Sequence, residues 1–411
     1  MERGVVVGNR FAPDLCSPTK ARRTFGGRCF GSSPRMPPNM AFLLLPFAWL
    51  YAAVMALRNW LYAQGWKSSE TFAVPLLNVG NLRVGGTGKT PHVSWLVEEL
   101  LRQGHRPAIL SRGYGRRTQG PRLAGPADSA ATVGDEPWQY YGQFTASRVP
   151  VAVAEKRGLG VALLLRAHPE TTVVVLDDAY QHRAVRPTLN ILLTELARPF
   201  YDDYVLPAGR LRESRAGAAR ADVVIITKCP PDLSVAARAA VELGVRRYAR
   251  PGVPVLFSAY AYGAPQLLIN DNELVAADCG SVAGVRPALL LTGIAQPGPL
   301  REQLAAQGYT IRFHAEFPDH HVFVPADLAG LRAHWQPGWP IFTTEKDATR
   351  LLDPALRAAR AGLPFYTIPV RVAFLGDGGA VLRRLLPAAP ARRVCFCVAL
   401  ATVRCFLSVL V

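Results

Sequence analysis

The chain has 411 residues, half of them apolar, and a formal net charge of +17. This apolar fraction excludes an intrinsically disordered chain, and the length suffices for two folded domains. The excess of positive charge favours an anionic partner: nucleic acid, an anionic membrane or a phosphorylated substrate. Five of the seven cysteines lie near the chain ends, and no spacing among them matches a metal-binding motif. A reduced, cytosolic protein body is therefore expected.

The N-terminal region divides into two segments of different composition. Residues 1–39 are rich in Arg, Gly, Ser and Pro without periodicity, which predicts a disordered extension. Residues 40–68 contain an uncharged run near the short limit for a membrane span, with Trp and Tyr interleaved. This composition favours a helix lying on the membrane surface over a true span. A cleaved signal and a helix buried against the protein are the alternatives.

A glycine-rich turn follows the apolar run at residues 72–79 and opens an amphipathic helix. The backbone N–H groups of such a turn, with the positive end of the helix, form a phosphate site. Lys89 is expected to reach the β- and γ-phosphates, and the Thr90 hydroxyl to bind Mg²⁺. The loop is atypical because Arg83 stands where a glycine is usual. The predicted nucleotide-binding residues are Gly85, Gly86, Thr87, Gly88, Lys89 and Thr90.

Apolar runs alternate with helical patterns along the rest of the chain. This alternation predicts a doubly wound, P-loop NTPase-like α/β sheet over residues 69–251 and a smaller α/β domain over 286–388. Short extended runs predict a linking hairpin at 252–285, and the apolar tail at 389–411 stays unassigned. The predicted strands are residues 107–110, 150–154, 172–176, 190–194 and 222–227, and in the second domain 288–292, 310–314 and 340–344.

Asp177 and Asp178 end the β-branched run at residues 172–176. An acid at the carboxyl end of a buried strand, in a protein with a phosphate loop, is the expected group for positioning Mg²⁺ or water. Adjacent side chains point in different directions, so one of the two is expected to meet the metal. A solvated strand end is the alternative.

Three other polar motifs are each weak alone. Asp135 and Glu136 lie in Gly-Asp-Glu-Pro, which suits a rigid turn at an active site. Arg112, in Ser-Arg-Gly-Tyr-Gly, follows a strand and is a candidate to grip substrate or phosphate. Arg212 and Glu213 follow a Pro/Gly frame, where arginine suits bidentate phosphate contact.

The second domain carries one notable polar cluster. His320 lies in Phe-Pro-Asp-His-His, where the histidines could bind metal, act as acid or base, or cap a turn. The charged run at residues 345–347 closes a predicted strand, and it either contacts the nucleotide or is solvated.

In this order, the motifs resemble those of the tetraacyldisaccharide 4′-kinase family of lipid A biosynthesis. They are Gly-Gly-Thr-Gly-Lys-Thr-Pro, Ser-Arg-Gly-Tyr-Gly, Gly-Asp-Glu-Pro, Asp-Asp-Ala-Tyr-Gln-His-Arg, Ala-Gly-Arg-Leu-Arg-Glu, Phe-Pro-Asp-His-His and Thr-Glu-Lys-Asp. The resemblance covers residues from about 40 to about 386, and the ordered set is highly specific. Arg83 falls where this family also lacks the usual glycine. Ala179-Tyr180 stands where Gly-Phe is expected, which keeps an aromatic ring.

The resemblance implies an ATP- and Mg²⁺-dependent kinase that phosphorylates the 4′-hydroxyl of a lipid disaccharide 1-phosphate. It implies attachment to the cytoplasmic face of the bacterial inner membrane, peripherally or by one N-terminal anchor. Two α/β domains would be joined by a two-stranded linker and share the active site. Asp135 would be the base, paired with His320, and Lys89 the third catalytic residue. The candidates for Mg²⁺ are Thr90, Glu136, Asp177 and Asp178, and those for the substrate are Arg112, Arg212 and Glu213.

Two other classes of protein remain as alternatives. A nucleotide-switch ATPase shares this loop but hydrolyses ATP without a lipid acceptor and has no need of Asp-His-His. A basic nucleic-acid-binding protein would show steep salt dependence, but the sequence carries no recognition motif for it. We therefore expect a lipid substrate, an anionic membrane surface, no nucleic acid and a monomeric protein.

Overall fold

The computed structural model describes residues 38–268, 274–276 and 286–388. The predicted disordered extension at 1–39 lies outside these ranges, except that its last two residues begin the first helix. The predicted apolar tail at 389–411 lies wholly outside them. The fold consists of two α/β units, which we call the first and second unit.

The first unit contains the following elements in chain order. Its strands are β1 (Leu76–Asn81), β2 (Pro107–Ser111), β3 (Arg122–Leu123), β4 (Val151–Val153), β5 (Val173–Asp177), β6 (Leu189–Glu195), β7 (Val223–Thr227) and β8 (Val255–Tyr262). Its helices are α1 (Pro38–Ala63), α2 (Lys89–Arg102), α3 (Ala130–Val133), α4 (Asp135–Phe144), α5 (Arg157–Ala167) and α6 (Val235–Arg246).

The second unit and the final segment follow. The strands are β9 (Gln266–Leu268), β10 (Leu274–Ala276), β11 (Arg286–Thr292), β12 (Tyr309–Glu316), β13 (Ile341–Thr344), β14 (Phe365–Ile368) and β15 (Val370–Phe374). The helices are α7 (Gly298–Ala306), α8 (Pro325–Arg332), α9 (Glu345–Leu351), α10 (Arg357–Arg360) and α11 (Gly378–Leu385).

The first sheet has nine strands in the order β15-β8-β7-β6-β1-β5-β2-β4-β3. All neighbours from β8 to β4 run parallel. From β1 the chain forms β2, β3 and β4 on one side, returns to place β5 between β1 and β2, and then adds β6, β7 and β8 on the other side. The strand order therefore reverses beside β1. Open parallel sheets bind ligands in the crevice at such a reversal. The predicted doubly wound sheet is confirmed, and the glycine-rich loop lies at its switch point.

Burial explains why the sequence folds this way. On α2, Val93, Leu96, Val97 and Leu100 are at most 1% exposed. They recur at helical spacing and form one core cluster with Leu77 and other residues of the central strands. The strands themselves are apolar on both faces, as expected for a parallel sheet covered by helices.

The second sheet has the order β10-β9-β14-β13-β11-β12. Strands β11 to β14 pair in parallel, and β9 and β10 extend the sheet in antiparallel pairing. Its core contains Leu289, Leu291, Ile341 and Phe365.

After the second unit, the chain returns to the first sheet. Strand β15 pairs antiparallel with β8, and Leu382 and Leu386 join the core cluster that contains Leu256. We call residues 370–386 the C-terminal strap. The predicted boundaries at 252–285 and 286–388 differ from this structure, because β8 and the strap both belong to the first sheet. Sheet membership depends on pairing between distant segments, which local periodicity does not report.

Helix α1 lies largely exposed on the first unit. Leu43, Trp49, Leu50 and Leu57 are each more than half exposed. Among the described residues, the segment Leu43–Ala63 is long and apolar enough to cross a membrane by length and composition, and 6% of its apolar window is buried. The low burial argues against a helix covered by its own protein.

The packing of the strap leads us to expect different losses of stability when two leucines of α11 are replaced. Leu382 is 2% exposed and Leu385 is 36% exposed. We expect Leu382→Ala to lower the free energy of unfolding by about 2–5 kcal/mol, because it leaves a cavity in the core of the first unit. Leu385→Ala is the matched control and should change it by less than about 1 kcal/mol. Denaturant titration measures both, and equal effects would contradict the assignment of the strap to this core.

Candidate active site

The glycine-rich loop between β1 and α2 has a backbone that requires glycine. Gly85 has φ 119° and Gly88 has φ 86°, values that disfavour residues with a Cβ. A Cβ on Gly88 would also lie 2.5 Å from the Tyr260 hydroxyl oxygen. Asn81 Nδ2 donates to Thr87 Oγ1 at 2.7 Å, which holds the loop to the end of β1. The predicted phosphate loop therefore has a defined, supported shape.

The atypical Arg83 has a structural partner. Its Nε donates to Asp203 Oδ2 at 2.6 Å, and its guanidinium lies 3.7 Å from Glu195 Oε2. The backbone N–H of Val84 donates to Arg210 O at 2.8 Å. The side chain that replaces the usual glycine thus fastens the entry of the loop to a neighbouring segment.

Asp178 lies beside two cations. Lys89 Nζ is 3.6 Å from Asp178 Oδ2, and Arg212 donates to both carboxylate oxygens at 2.9 and 3.0 Å. Burial alone would raise the pKa of Asp178, but Lys89 and Arg212 outweigh it and hold that pKa below its ordinary value. Asp178 is therefore an anion that orients the loop lysine and Arg212.

Asp177 lies in a different environment from its neighbour. It is 4% exposed, and Ser111 Oγ donates to its Oδ2 at 3.1 Å. Its Oδ1 is buried and makes no hydrogen bond within the described ranges. Burial, followed by the negative charge of Asp178, raises the pKa of Asp177 to about 7. Such an orphaned carboxylate oxygen is stabilised when a cation binds nearby.

The oxygen donors around Asp177 fit Mg²⁺. Glu136 lies close enough for its charge to add to the rise in the pKa of Asp177. Thr90, with its hydroxyl, is the second residue of α2, directly after the glycine-rich loop. No group of three or more His, Cys, Asp or Glu side chains among the described residues could hold a metal alone. Mg²⁺ commonly takes only one or two carboxylates and completes its shell with phosphate oxygens and water.

Asp135 meets the second unit. Asp135 Oδ2 lies 3.0 Å from His320 Nδ1 and 2.9 Å from Arg350 Nε. Burial would raise the pKa of Asp135, but the His320 hydrogen bond and the Arg350 charge outweigh it and hold that pKa below its ordinary value. Both contacts end on Oδ2. The other oxygen, Oδ1, takes part in neither contact.

Lys346 completes this cluster on the side of the second unit. Its Nζ lies 3.0 Å from His320 Nε2 and 3.1 Å from Asp319 Oδ1. An ammonium group only donates, so His320 Nε2 accepts and His320 Nδ1 carries the proton that bonds Asp135. His320 has φ 62°, an uncommon backbone conformation that often marks a functional site.

Sequence reasoning missed Arg350. This arginine is 7% exposed, and besides Asp135 it contacts the buried Asp347 Oδ1 at 3.0 Å. The available signal was its spacing: Arg350 follows Asp347 by three residues in a helical segment after Thr-Glu-Lys-Asp, so both lie on one face.

The predicted substrate residues fall into different environments. Arg112 is exposed at the end of β2. Burial lowers the pKa values of Arg157 and His182, and the positive charge of Arg112 adds to this effect. Arg212 is bound to Asp178, as described above. Glu213 is 2% exposed, and its carboxylate accepts from the chain itself. Its donors are Asn59, Gln181 and Arg220, at 2.9, 3.1 and 2.7 Å.

Glu213 therefore fastens α1 to the site. Asn59 of α1 reaches Glu213 Oε2, and Tyr51 of α1 donates to Arg212 O at 3.0 Å. Arg58 of α1 donates to Gln181 O at 3.0 Å. The exposed apolar helix is thus attached to the loop that carries Arg212, beside the phosphate loop.

The fold and these contacts define a P-loop phosphotransferase in which an Asp–His contact, Asp135 with His320, joins the two units. Comparison with known proteins identifies the family. The sequence profile of the tetraacyldisaccharide-1-P 4′-kinases (LpxK) matches residues 40–389. This chain belongs to that family.

Individual relatives agree with the family match. A tetraacyldisaccharide 4′-kinase of Cytophaga hutchinsonii is 38% identical over 340 residues, covering 82% of this chain and 93% of that protein. One of Bacteroides fragilis strain YCH46 is 41% identical over 344 residues, covering 81% and 88%. A crystal structure of LpxK from Aquifex aeolicus in complex with ATP is similar with TM-score 0.66 and 28% identity, covering 84% of this chain and 98% of that one. The resemblance and the fold class predicted from sequence are confirmed.

The attachment of α1 gives a testable prediction. In Asn59→Ala, Glu213 Oε2 loses its partner while the carboxylate stays buried, a cost of roughly 1–3 kcal/mol. We expect amide hydrogen exchange in the C-terminal half of α1 to accelerate by roughly ten-fold in detergent micelles. Val54→Ala is the control, because Val54 is 57% exposed. Equal exchange in the two variants would show that Glu213 does not anchor the helix.

Proposed function

We propose that this protein transfers the γ-phosphate of ATP to the 4′-hydroxyl of a tetraacyldisaccharide 1-phosphate, giving the lipid A precursor lipid IVA. Family membership supports this reaction. The observation that carries the proposal is the first turn of α4: Asp135 bonds His320, while Glu136 lies beside Asp177 near the phosphate loop. A hydroxyl acceptor and a triphosphate can meet there.

The phosphate loop would hold the triphosphate. Backbone N–H groups of residues 85–90 would bind its oxygens, supported by the positive end of α2. Lys89 would neutralise the charge that moves to the leaving group. Asp178 keeps the ammonium group of Lys89 close to the loop. Phosphoryl transfer depends mainly on such positioning and electrostatic stabilisation.

Mg²⁺, when bound, would bridge phosphate oxygens and neutralise their charge. Asp177 is the best protein ligand, because its Oδ1 is buried without a hydrogen bond among the described residues. Thr90 and Glu136 supply further oxygen donors. Asp178 is less suited, since Arg212 occupies both of its oxygens.

Asp135 would act as the general base. Its lowered pKa keeps it deprotonated at neutral pH, and Oδ1 is free of the contacts made by Oδ2. As the sugar hydroxyl attacks phosphorus, its proton would pass to Asp135. His320 and Arg350 orient the carboxylate, and His320 comes from the second unit. The pair would therefore be complete only while the two units lie together.

The acceptor lipid would enter from the membrane. The exposed apolar side chains of α1 suit the boundary between headgroups and acyl chains. The net charge of +17 favours an anionic surface. We propose that the protein works at the cytoplasmic face of the bacterial inner membrane, with α1 lying on the surface and presenting the lipid to the cleft.

The test is transfer of label from γ-labelled ATP to tetraacyldisaccharide 1-phosphate in detergent micelles. We expect Lys89→Ala to reduce transfer by roughly 10²-fold or more, because a transition-state cation is lost. Lys156→Ala is the control, since Lys156 is exposed. Chelation of divalent cations should abolish transfer. ATP hydrolysis independent of lipid, without labelled lipid, would favour the nucleotide-switch ATPase instead.

A second prediction addresses the base. Asp135→Asn should lower turnover by roughly 10²–10⁴-fold while the KM for ATP changes little, because the amide cannot accept the proton. The control is Asp232→Asn, an exposed acid of the first unit. The measurement is kcat for both variants. Unchanged turnover in Asp135→Asn would show that Asp135 is not the base.

A further inference from the structure

A buried histidine lies directly behind the phosphate loop. His92, two residues after Thr90, is 4% exposed. Its Nδ1 lies 2.7 Å from the carbonyl oxygen of Gly88, and its Nε2 lies 3.0 Å from Ser258 Oγ. A carbonyl oxygen only accepts, so Nδ1 carries the proton and Nε2 accepts from the serine hydroxyl. The other acceptor near that hydroxyl, Ile226 O, is farther away at 3.3 Å. Burial lowers the pKa of His92 to about 4, in keeping with this neutral ring.

The histidine contact is the main support of the Gly88 carbonyl. The backbone N–H of His92 lies 3.4 Å from the same oxygen, a long bond for the start of a helix. The imidazole, at 2.7 Å, is the nearer donor. This carbonyl ends the glycine-rich loop, at the left-handed residue where the loop turns into α2.

Strand β8 supplies the other half of this support. Ser258 is 1% exposed. Tyr260, two residues along the same strand, lies on the same face and packs against Gly88. Phe374 of the strap pairs with Ser258 and sets its ring edge-on to His92, with centroids 6.3 Å apart. Two strands, β7 and β6, separate β8 from β1, so the contact spans the sheet.

We propose that His92 and Ser258 are positioning residues for the nucleotide, acting through the peptide between Gly88 and Lys89. In a trans peptide the C=O and N–H groups share one plane and point in opposite directions. Fixing the Gly88 carbonyl toward His92 therefore fixes the Lys89 N–H away from it, as a donor for phosphate. The inference rests on the proposed function only in that the loop binds ATP.

Three variants test the two hydrogen bonds of the His92 ring separately. His92→Phe removes both, Ser258→Ala removes the anchor, and His92→Asn keeps a short amide donor for the Gly88 carbonyl. We expect His92→Phe to raise the KM for ATP by roughly ten-fold, the size of one buried hydrogen bond, with the KM for the lipid unchanged. Ser258→Ala should raise it less, and His92→Asn should recover part of the loss.

The double variant His92→Phe/Ser258→Ala tests whether the residues act together. If the serine works through the histidine, the double variant should match His92→Phe in its KM for ATP. Additive increases would contradict a shared role. Ser258→Ala is a mild change, so the test stands even where the phenylalanine variant fails to fold.

His105 offers a matched control. It is 5% exposed, and its ring contacts Thr172 Oγ1 and Pro387 O, both at 3.2 Å. It lies at the other end of α2 and of the sheet, away from the loop. We expect His105→Phe to lower the melting temperature without changing the KM for ATP. If His92→Phe and Ser258→Ala also lower only the melting temperature, the two residues are merely structural and the proposal is overturned.

Binding of a non-hydrolysable ATP analogue, measured by calorimetry, keeps this inference distinct from the proposed reaction. Weaker analogue binding in His92→Phe and Ser258→Ala supports the positioning role even when no lipid is labelled. Labelled lipid in the unaltered protein, together with unchanged analogue affinity in both variants, would uphold the kinase and overturn the positioning role.

Discussion

The site depends on the first turn of α4. Asp135 and Glu136 are its first two residues, so their side chains leave the helix about 100° apart. One carboxylate meets His320 and Arg350 across the boundary between the units, and the other lies beside Asp177. The positive end of the helix stabilises both negative charges. One helix start therefore joins the proposed base to the proposed metal site, and rotating it would disturb both.

The features that were predicted correctly from the sequence are those that local residue patterns determine. The phosphate loop, the stripe on α2 and the acids after β5 each follow from residues close together in the chain. Glycine-rich turns, apolar residues at helical spacing and strand ends can each be recognised from a short stretch of sequence. The pairing of Asp135 with His320 came from the family resemblance, since nothing local connects residues that distant in sequence.

The features that sequence did not predict depend on distant partners. The strap falls within the predicted second domain at 286–388, but its apolar side chains complete the core of the first unit. Arg83 and Glu213 are charged residues in polar loops, and no local pattern indicates a partner for either. In the structure their charges are matched within the protein, by Asp203 and by Arg220. A charge in a sequence shows that a partner is needed, without showing which one.

Strand β8 connects the phosphate loop to the boundary between the units. Ser258 and Tyr260 support Gly88, and the chain then leaves the first sheet at Gly263, whose N–H donates to Pro369 O at 2.9 Å. The outgoing and returning segments are thus held together where β8 and β15 end. The second unit, which carries His320 to Asp135, is joined to the first unit through this pair of strands. Because the same pair also backs His92, the glycine-rich loop and the connection to the unit that carries His320 share one support.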